Sequence, residues 1–219
     1  MNYNKLLLNY INECPNDEPI LIEDIKNYLK EKLNINDNVF IKLMKTINVY
    51  INRLVNAGII KNDYKGVYYK PTNTVFGLLP LNRMKLIEKK YIENNSQVKG
   101  YFTGPYLYNA LGLTTQIPTV KIVVTNECPN HNEYRVNDLG IIIRKPKIEI
   151  TNDNYAYLQL LDLLINKDKV NIEVDRKEEK EIIVEYINNY NITVDQLFKF
   201  ANLTKNKKAI EKLYELGGF

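Results

Sequence analysis

Residues 38–71 read NVFIKLMKTINVYINRLVNAGIIKNDYKGVYYKP, and this stretch decides how the chain folds. At about 100° of turn per residue, Phe40, Leu43, Met44, Ile47, Ile51, Leu54 and Val55 share one face of a helix over 38–57. Lys42, Lys45, Thr46, Val49, Asn52 and Arg53 share the other. Gly58 suits the left-handed residue that closes a helix. Ile59 to Tyr64 and Val67 to Lys70 are rich in β-branched and aromatic residues and read as two strands. Gly66 supplies the turn between them, since it takes positive φ without a Cβ clash.

Working backward, Ile20 to Leu33 reads as a helix with Ile22, Ile25, Leu29 and Leu33 on one side, and Tyr3 to Ile11 as a leading helix. Helices followed by a hairpin predict a winged helix-turn-helix over residues 1–71. The outer face of helix 38–57 offers amines, a guanidinium, an amide and a hydroxyl, groups that reach phosphates and base edges from the major groove. Lys61 and Lys65 sit on the wing. Residues 34–71 hold six basic groups against two acidic ones, so the positive excess lies where DNA contact needs it. The DNA-facing set is therefore Lys42, Lys45, Thr46, Asn52, Arg53, Lys61 and Lys65. The competing reading is a merely solvated face, or a wing that binds protein.

The net charge of +4 over 219 residues permits nucleic-acid binding without requiring it. Residues 152–219 carry more acids than bases, so the excess belongs to the first two thirds. No apolar run approaches the roughly 18 residues of a membrane span. The opening Met1-Asn2-Tyr3-Asn4-Lys5 has no signal-peptide profile. Two cysteines make no disulfide framework, and a cytoplasmic protein without membrane contact is expected. The abundant Asn, Ile, Lys and Tyr reflect AT-rich coding and carry no functional reading.

The pentapeptide Asn-Glu-Cys-Pro-Asn occurs at 12–16 and at 126–130, the second copy followed by His131. Each cysteine lacks a second thiol two to four residues away, and a structural zinc needs four ligands. Both copies read as loop turns after an element end, with neither metal nor cofactor expected.

Beyond Pro71, residues 72–81 read as a partly packed linker and Asn82 to Tyr91 as a helix. Thr103 or Gly104 caps a helix with Pro105 in its first turn and Gly112 at its end. Thr119 to Thr125 is a buried-strand pattern. Glu133 to Val136 and Leu139 to Arg144 form a hairpin around Asn137-Asp138. Asn154 to Ile165 is a helix, and segments 176–190, 193–203 and 205–217 are helical. Helices around a small, mostly antiparallel sheet make the fold class α+β.

The run Lys65-Gly66-Val67-Tyr68-Tyr69-Lys70-Pro71, joined to Tyr101-Phe102-Thr103-Gly104-Pro105-Tyr106-Leu107-Tyr108-Asn109-Ala110-Leu111-Gly112-Leu113-Thr114-Thr115-Gln116-Ile117-Pro118, resembles the AbiEi-type antitoxins of type IV toxin–antitoxin (abortive infection) systems. The similarity covers about residues 20–165 and is greatest to a compact branch of that family described as a domain of unknown function. The resemblance implies an N-terminal domain that binds the operon's own promoter as an autorepressor. It also implies a C-terminal domain opposing a nucleotidyltransferase-like toxin without a stable complex, in a phage-defence setting. With it the chain reads as a DNA-binding domain at 1–71 and an antitoxin-like α+β domain at 72–165; residues 166–219 lie outside the similarity and read as a helical extension, a cap or an oligomerisation element. Tyr101 and the Thr114-Thr115-Gln116 loop are the candidate partner-binding residues; the loop's other reading is to pin its helix to the strand at Thr119. The oligomeric state is left open.

No catalysis is expected. His131 is the single histidine and lies in a Pro-Asn-His-Asn loop. There is no glycine-rich phosphate loop. Asp138, Lys147 and Glu149 lack the Glu-x-Lys spacing of a paired-carboxylate nuclease. The alternatives are a winged-helix regulator whose second domain senses a ligand or drives oligomerisation, and a DNA-processing enzyme.

Overall fold

Ile20 and Leu21 leave the helical rhythm that follows them. In the computed structural model, which describes residues 3–129 and 131–215, they form a short strand. The chain opens with α1 (Tyr3–Glu13), then β1 (Ile20–Leu21), α2 (Ile22–Leu33), α3 (Asp37–Asn56), β2 (Lys61–Tyr64) and β3 (Val67–Tyr69). β1 pairs antiparallel with β3, Ile20 opposite Tyr68, and β2 pairs with the other edge of β3. The helix expected from Ile20 thus starts at Ile22, whose N–H donates to the Gly66 carbonyl at 2.8 Å. Two residues are too short for periodicity to reveal; only the partner strand defines them.

Asn34, left-handed at φ 46°, turns the chain out of α2. Asn36 caps α3, its side-chain oxygen accepting from Val39 N–H at 3.0 Å. At the other end Gly58 takes φ 72°. Gly58 N–H donates to Val55 and Ile59 N–H to Leu54, both at 3.0 Å, the Schellman pattern that satisfies the last carbonyls. The apolar face of α3 packs as expected: Ile47 and Ile51 are fully buried against Leu7, Ile11, Ile25 and Leu29. Each such side chain contributes roughly 1.5–3 kcal/mol.

Asp17 draws the next segment back onto this core. It sits at φ 59°, and its N–H donates to the Lys70 carbonyl at 2.8 Å. Its carboxylate accepts from the Thr72 N–H at 2.8 Å and from the Thr72 hydroxyl, and its carbonyl accepts from Asn82 N–H. Between Thr72 and Asn82, β4 (Asn73–Thr74) and β5 (Gly77–Leu78) form a hairpin tipped by Val75 and Phe76, 93% and 98% exposed. α4 (Arg83–Ile87) follows, then a wider π turn over Glu88–Ile92, where one continuous helix over 82–91 was expected. The chain divides into two compact units, Met1–Leu86 and Ile87–Phe219, so the first unit runs past Pro71. Residues 72–82 are held by Asp17 rather than spanning as a linker.

The second unit begins with the hairpin β6 (Glu93–Asn94) and β7 (Gln97–Val98), then β8 (Gly100–Thr103), α5 (Pro105–Ala110), β9 (Lys121–Thr125), β10 (Glu133–Val136) and β11 (Ile141–Arg144). The four longer strands make one sheet in the order β10-β11-β9-β8. β8 with β9 and β10 with β11 are antiparallel, whereas β9 and β11 run parallel. β8 was not anticipated from the sequence, where Gly100 obscures the pattern. α6 (Tyr155–Asn166), α7 (Arg176–Asn189), α8 (Val194–Leu203) and α9 (Lys207–Glu215) complete the unit. Positions 216–217 of the last expected helix lie outside the described residues. Leu160 and Leu164 of α6 share a core with Ile183 and Ile187 of α7, Leu197 and Ala201 of α8, and Ala209 of α9. Residues after 166 are therefore built into the second unit's core, not appended to it, and the fold is mixed α+β. Among the described residues no helix is long and apolar enough to cross a membrane.

Gly100 owes its place to close backbone approach. A Cβ there would stand 2.0 Å from the Tyr91 carbonyl oxygen and 2.7 Å from that of Val124. Both are main-chain atoms that cannot swing away. Gly100→Ala is expected to destabilise the second unit by about 3 kcal/mol or more, since overpacking typically costs 1–3 and here the backbone itself must move. Chemical denaturation followed by circular dichroism checks it; a midpoint equal to wild type would contradict the contact.

Candidate functional site

The outer face of α3 carries every group the sequence assigned to it. Lys42, Lys45, Thr46, Asn52 and Arg53 are all exposed, as are Lys61 on β2 and Lys65 in the turn before β3. Among the described residues none of these five cations is in an ion pair, so their charge is uncommitted. The β2–β3 turn is shaped locally: the Asn62 side-chain amide donates to the carbonyls of Tyr64 and Val67 at 3.1 and 3.2 Å. Gly66 holds φ 77°, and a Cβ there would press on Ile22 Cγ2 at 3.0 Å, which keeps this turn close to the start of α2. The same face of α3 also exposes Val39, Ile41 and Val49. A face of free cations, amides and methyl groups matches the chemistry of a duplex groove, where phosphates need charge, base edges need amides, and thymine methyls need apolar contact.

The second group of expected site residues is placed differently. Tyr101 is buried at 6% exposure and Thr114 at 3%, so neither offers a side chain to a surface partner in this conformation. Thr115 and Gln116 are exposed. Glu173 clamps the loop: Thr115 donates to Glu173 Oε2 from its N–H at 2.7 Å and from its hydroxyl at 2.6 Å. Glu173 N–H returns to the Leu113 carbonyl at 3.0 Å. The loop is thus pinned to the segment before α7, rather than to the strand at Thr119.

Tyr101 instead points to a site that the sequence reading missed. A cavity of about 160 Å³ lies within the second unit. Val124, Leu158 and Leu161 give it apolar walls, Asp162 and Tyr101 line it, and Arg144, Lys145 and Lys147 border it. The Tyr101 hydroxyl donates to Asp162 Oδ2 at a long 3.5 Å. Burial pushes the Asp162 carboxyl above its usual range, against the lowering pull of Thr103, Arg144, Tyr101 and Lys147. Burial likewise raises Tyr101 well above an ordinary phenol, with the Asp162 carboxylate adding to it. In NYAYLQLLDLLI an acid flanked by leucines on every side was the available signal, since a helix apolar all round is covered on both faces.

The remaining sequence candidates are spread out. Asp138, Lys147 and Glu149 are exposed. Cys128 is buried, its thiol donating to the carbonyls of His131 and Ile143 at 3.4 and 3.7 Å, and burial raises its pKa. Asn130 of the second pentapeptide lies outside the described residues. Among the described residues no three His, Cys, Asp or Glu side chains gather as a metal site.

The Glu173 clamp titrates. The hydrogen bonds from Thr115 hold its carboxyl below the usual glutamate range. A carboxyl depressed by folding stabilises the native state above its unfolded-state pKa. That contribution is lost as the pH falls through the lower native value. Amide exchange at Thr115 is therefore expected to accelerate in acid below the ordinary glutamate range. In Glu173→Gln it should be fast, without that acid step. Hydrogen exchange followed by NMR reads both.

Compared with known protein families and with curated proteins, the chain matches none.

Proposed function

We propose that this chain is a DNA-binding transcriptional autorepressor and antitoxin of the AbiEi type, opposing a nucleotidyltransferase-like toxin and performing no catalysis of its own. The observation that carries the DNA part is the free cationic face of α3 with Lys61 and Lys65 beside it. Support for a winged helix comes from the order of elements, with α2 and α3 joined by three residues and a β1-β3-β2 sheet. In this reading α3 enters the major groove and the β2–β3 turn contacts the backbone. The antitoxin part rests on the resemblance of residues 101–118, assigned to the second unit. One observation favours a second reading, a winged-helix regulator whose second unit senses a ligand: the polar cavity beside α6.

Replacing Lys42, Lys45 and Arg53 by Ala is expected to weaken binding to the upstream promoter while leaving the fold intact, because all three side chains are exposed on the face opposite the core. If each contacts one phosphate, the slope of log affinity against log salt shrinks by roughly 0.9 per cation removed. Gel shifts across a salt series measure it, and equal binding by wild type and triple variant would sink the idea.

The two jobs are expected to separate at the boundary between the units. A fragment starting at Ile87 should protect cells from a separately induced toxin yet fail to repress, whereas the triple variant should de-repress the promoter and still protect. Growth and reporter assays check this. A fragment folded by circular dichroism that gives no protection would leave a plain repressor as the better account.

A further inference from the structure

We propose that the cavity beside α6 binds a small zwitterion, its ammonium end on Asp162 and its anionic end at Lys145 and Lys147. This inference is independent of the DNA reading. Asp162 is the starting point. It forms no ion pair among the described residues, and two hydroxyls face it, that of Tyr101 at 3.5 Å and that of Thr103. An ionised carboxylate has room for about four hydrogen bonds. Arg144 and Lys147 pull on it from beyond ion-pair distance, and sequestering a carboxylate without a contacting cation is costly. An ammonium group entering the cavity supplies the missing partner.

The rim sets the other end. Arg144-Lys145-Pro146-Lys147 borders the cavity with three cations. Arg144 is committed to Glu133 at 2.7 Å, whereas Lys145 and Lys147 are exposed and in no ion pair among the described residues. A purely cationic ligand meets this charge on entry. A purely anionic one meets Asp162 inside. A molecule with both ends satisfies both. Size narrows the choice: about 160 Å³ is close to the roughly 150 Å³ of a cavity that holds benzene, well under a drug-sized pocket. The apolar walls Val124, Leu158 and Leu161 suit a short methylene chain between the charges.

Titration calorimetry of the full chain with β-alanine, γ-aminobutyrate and 5-aminopentanoate scans the charge separation. At least one is expected to bind saturably, with butylamine and butyrate at least about tenfold weaker. Asp162→Asn should lose about tenfold or more in affinity. The paired exposed variants Lys145→Ala and Lys147→Ala should weaken the amino acid and strengthen butylamine, whose entry they no longer oppose, which keeps a test available if the Asp162 variant does not fold. Chemical-shift changes should centre on Tyr101, Leu161 and Asp162. Absence of saturable binding by all three amino acids, equal binding of butyrate, or undiminished binding by the lysine variants or by a folded Asp162→Asn overturns the proposal.

Discussion

Helix α6 has almost no side to give to water, and the second unit is arranged around that constraint. Ala156, Leu158, Leu160, Leu161, Leu163 and Leu164 are all buried. A helix apolar all round has to be covered all round. Leu158 packs with Tyr101, Val124 and Ile150 of the sheet region, while Leu160 and Leu164 pack with α7, α8 and α9. The polar residues that α6 carries inward must find partners. Gln159 does so at both ends of its amide, donating to the Phe102 carbonyl at 2.8 Å and accepting from the Tyr186 hydroxyl at 2.7 Å. Asp162 does so only in part, and the cavity forms around it.

The first unit solves a different problem. Its core closes on one face of α3, leaving on the other a set of exposed cations and amides with three aliphatic side chains among them. Local devices hold the helix in place: the Asn36 cap, the Gly58 turn, and the Ile22–Gly66 hydrogen bond that joins the β2–β3 turn to α2. None of these draws on the exposed cations. Stability and the proposed binding chemistry thus rest on separate residues, so binding variants can be made without unfolding the unit.

Elements with a strong local pattern were readable in the sequence. The stripe from Phe40 to Val55 announced α3 and its buried face, Gly58 and Gly112 marked helix ends, and TVKIVVT marked β9. What the sequence hid was set by distant partners. Ile20 and Leu21 are a strand only because Tyr68 and Val67 lie opposite. β8 is a strand because β9 lies alongside it, Gly100 opposite Thr125, and the 72–82 segment joins the first unit because Asp17 reaches it. Tyr101 and Thr114 were expected to face a partner, but both are buried, and burial is a property of what packs over them. Asp162 was not singled out, because only the covering of both sides of α6 makes its place unusual.

The order of the strands also bears on how the second unit comes into being during synthesis. All four strands of its main sheet fall within residues 100–144, and each pairing joins near neighbours in the chain: Gly100 with Thr125, Lys121 with Ile141, Glu133 with Arg144. Closing loops of this length costs modest entropy, and the two antiparallel pairings form faster than the parallel β9–β11 one. A growing chain can therefore assemble the sheet before residues 155–166 have left the ribosome. Until they do, the surface of Tyr101 and Val124 that α6 will cover stands bare. The interval between finishing β11 and finishing α6 is when the nascent protein is most exposed to sticking to its neighbours.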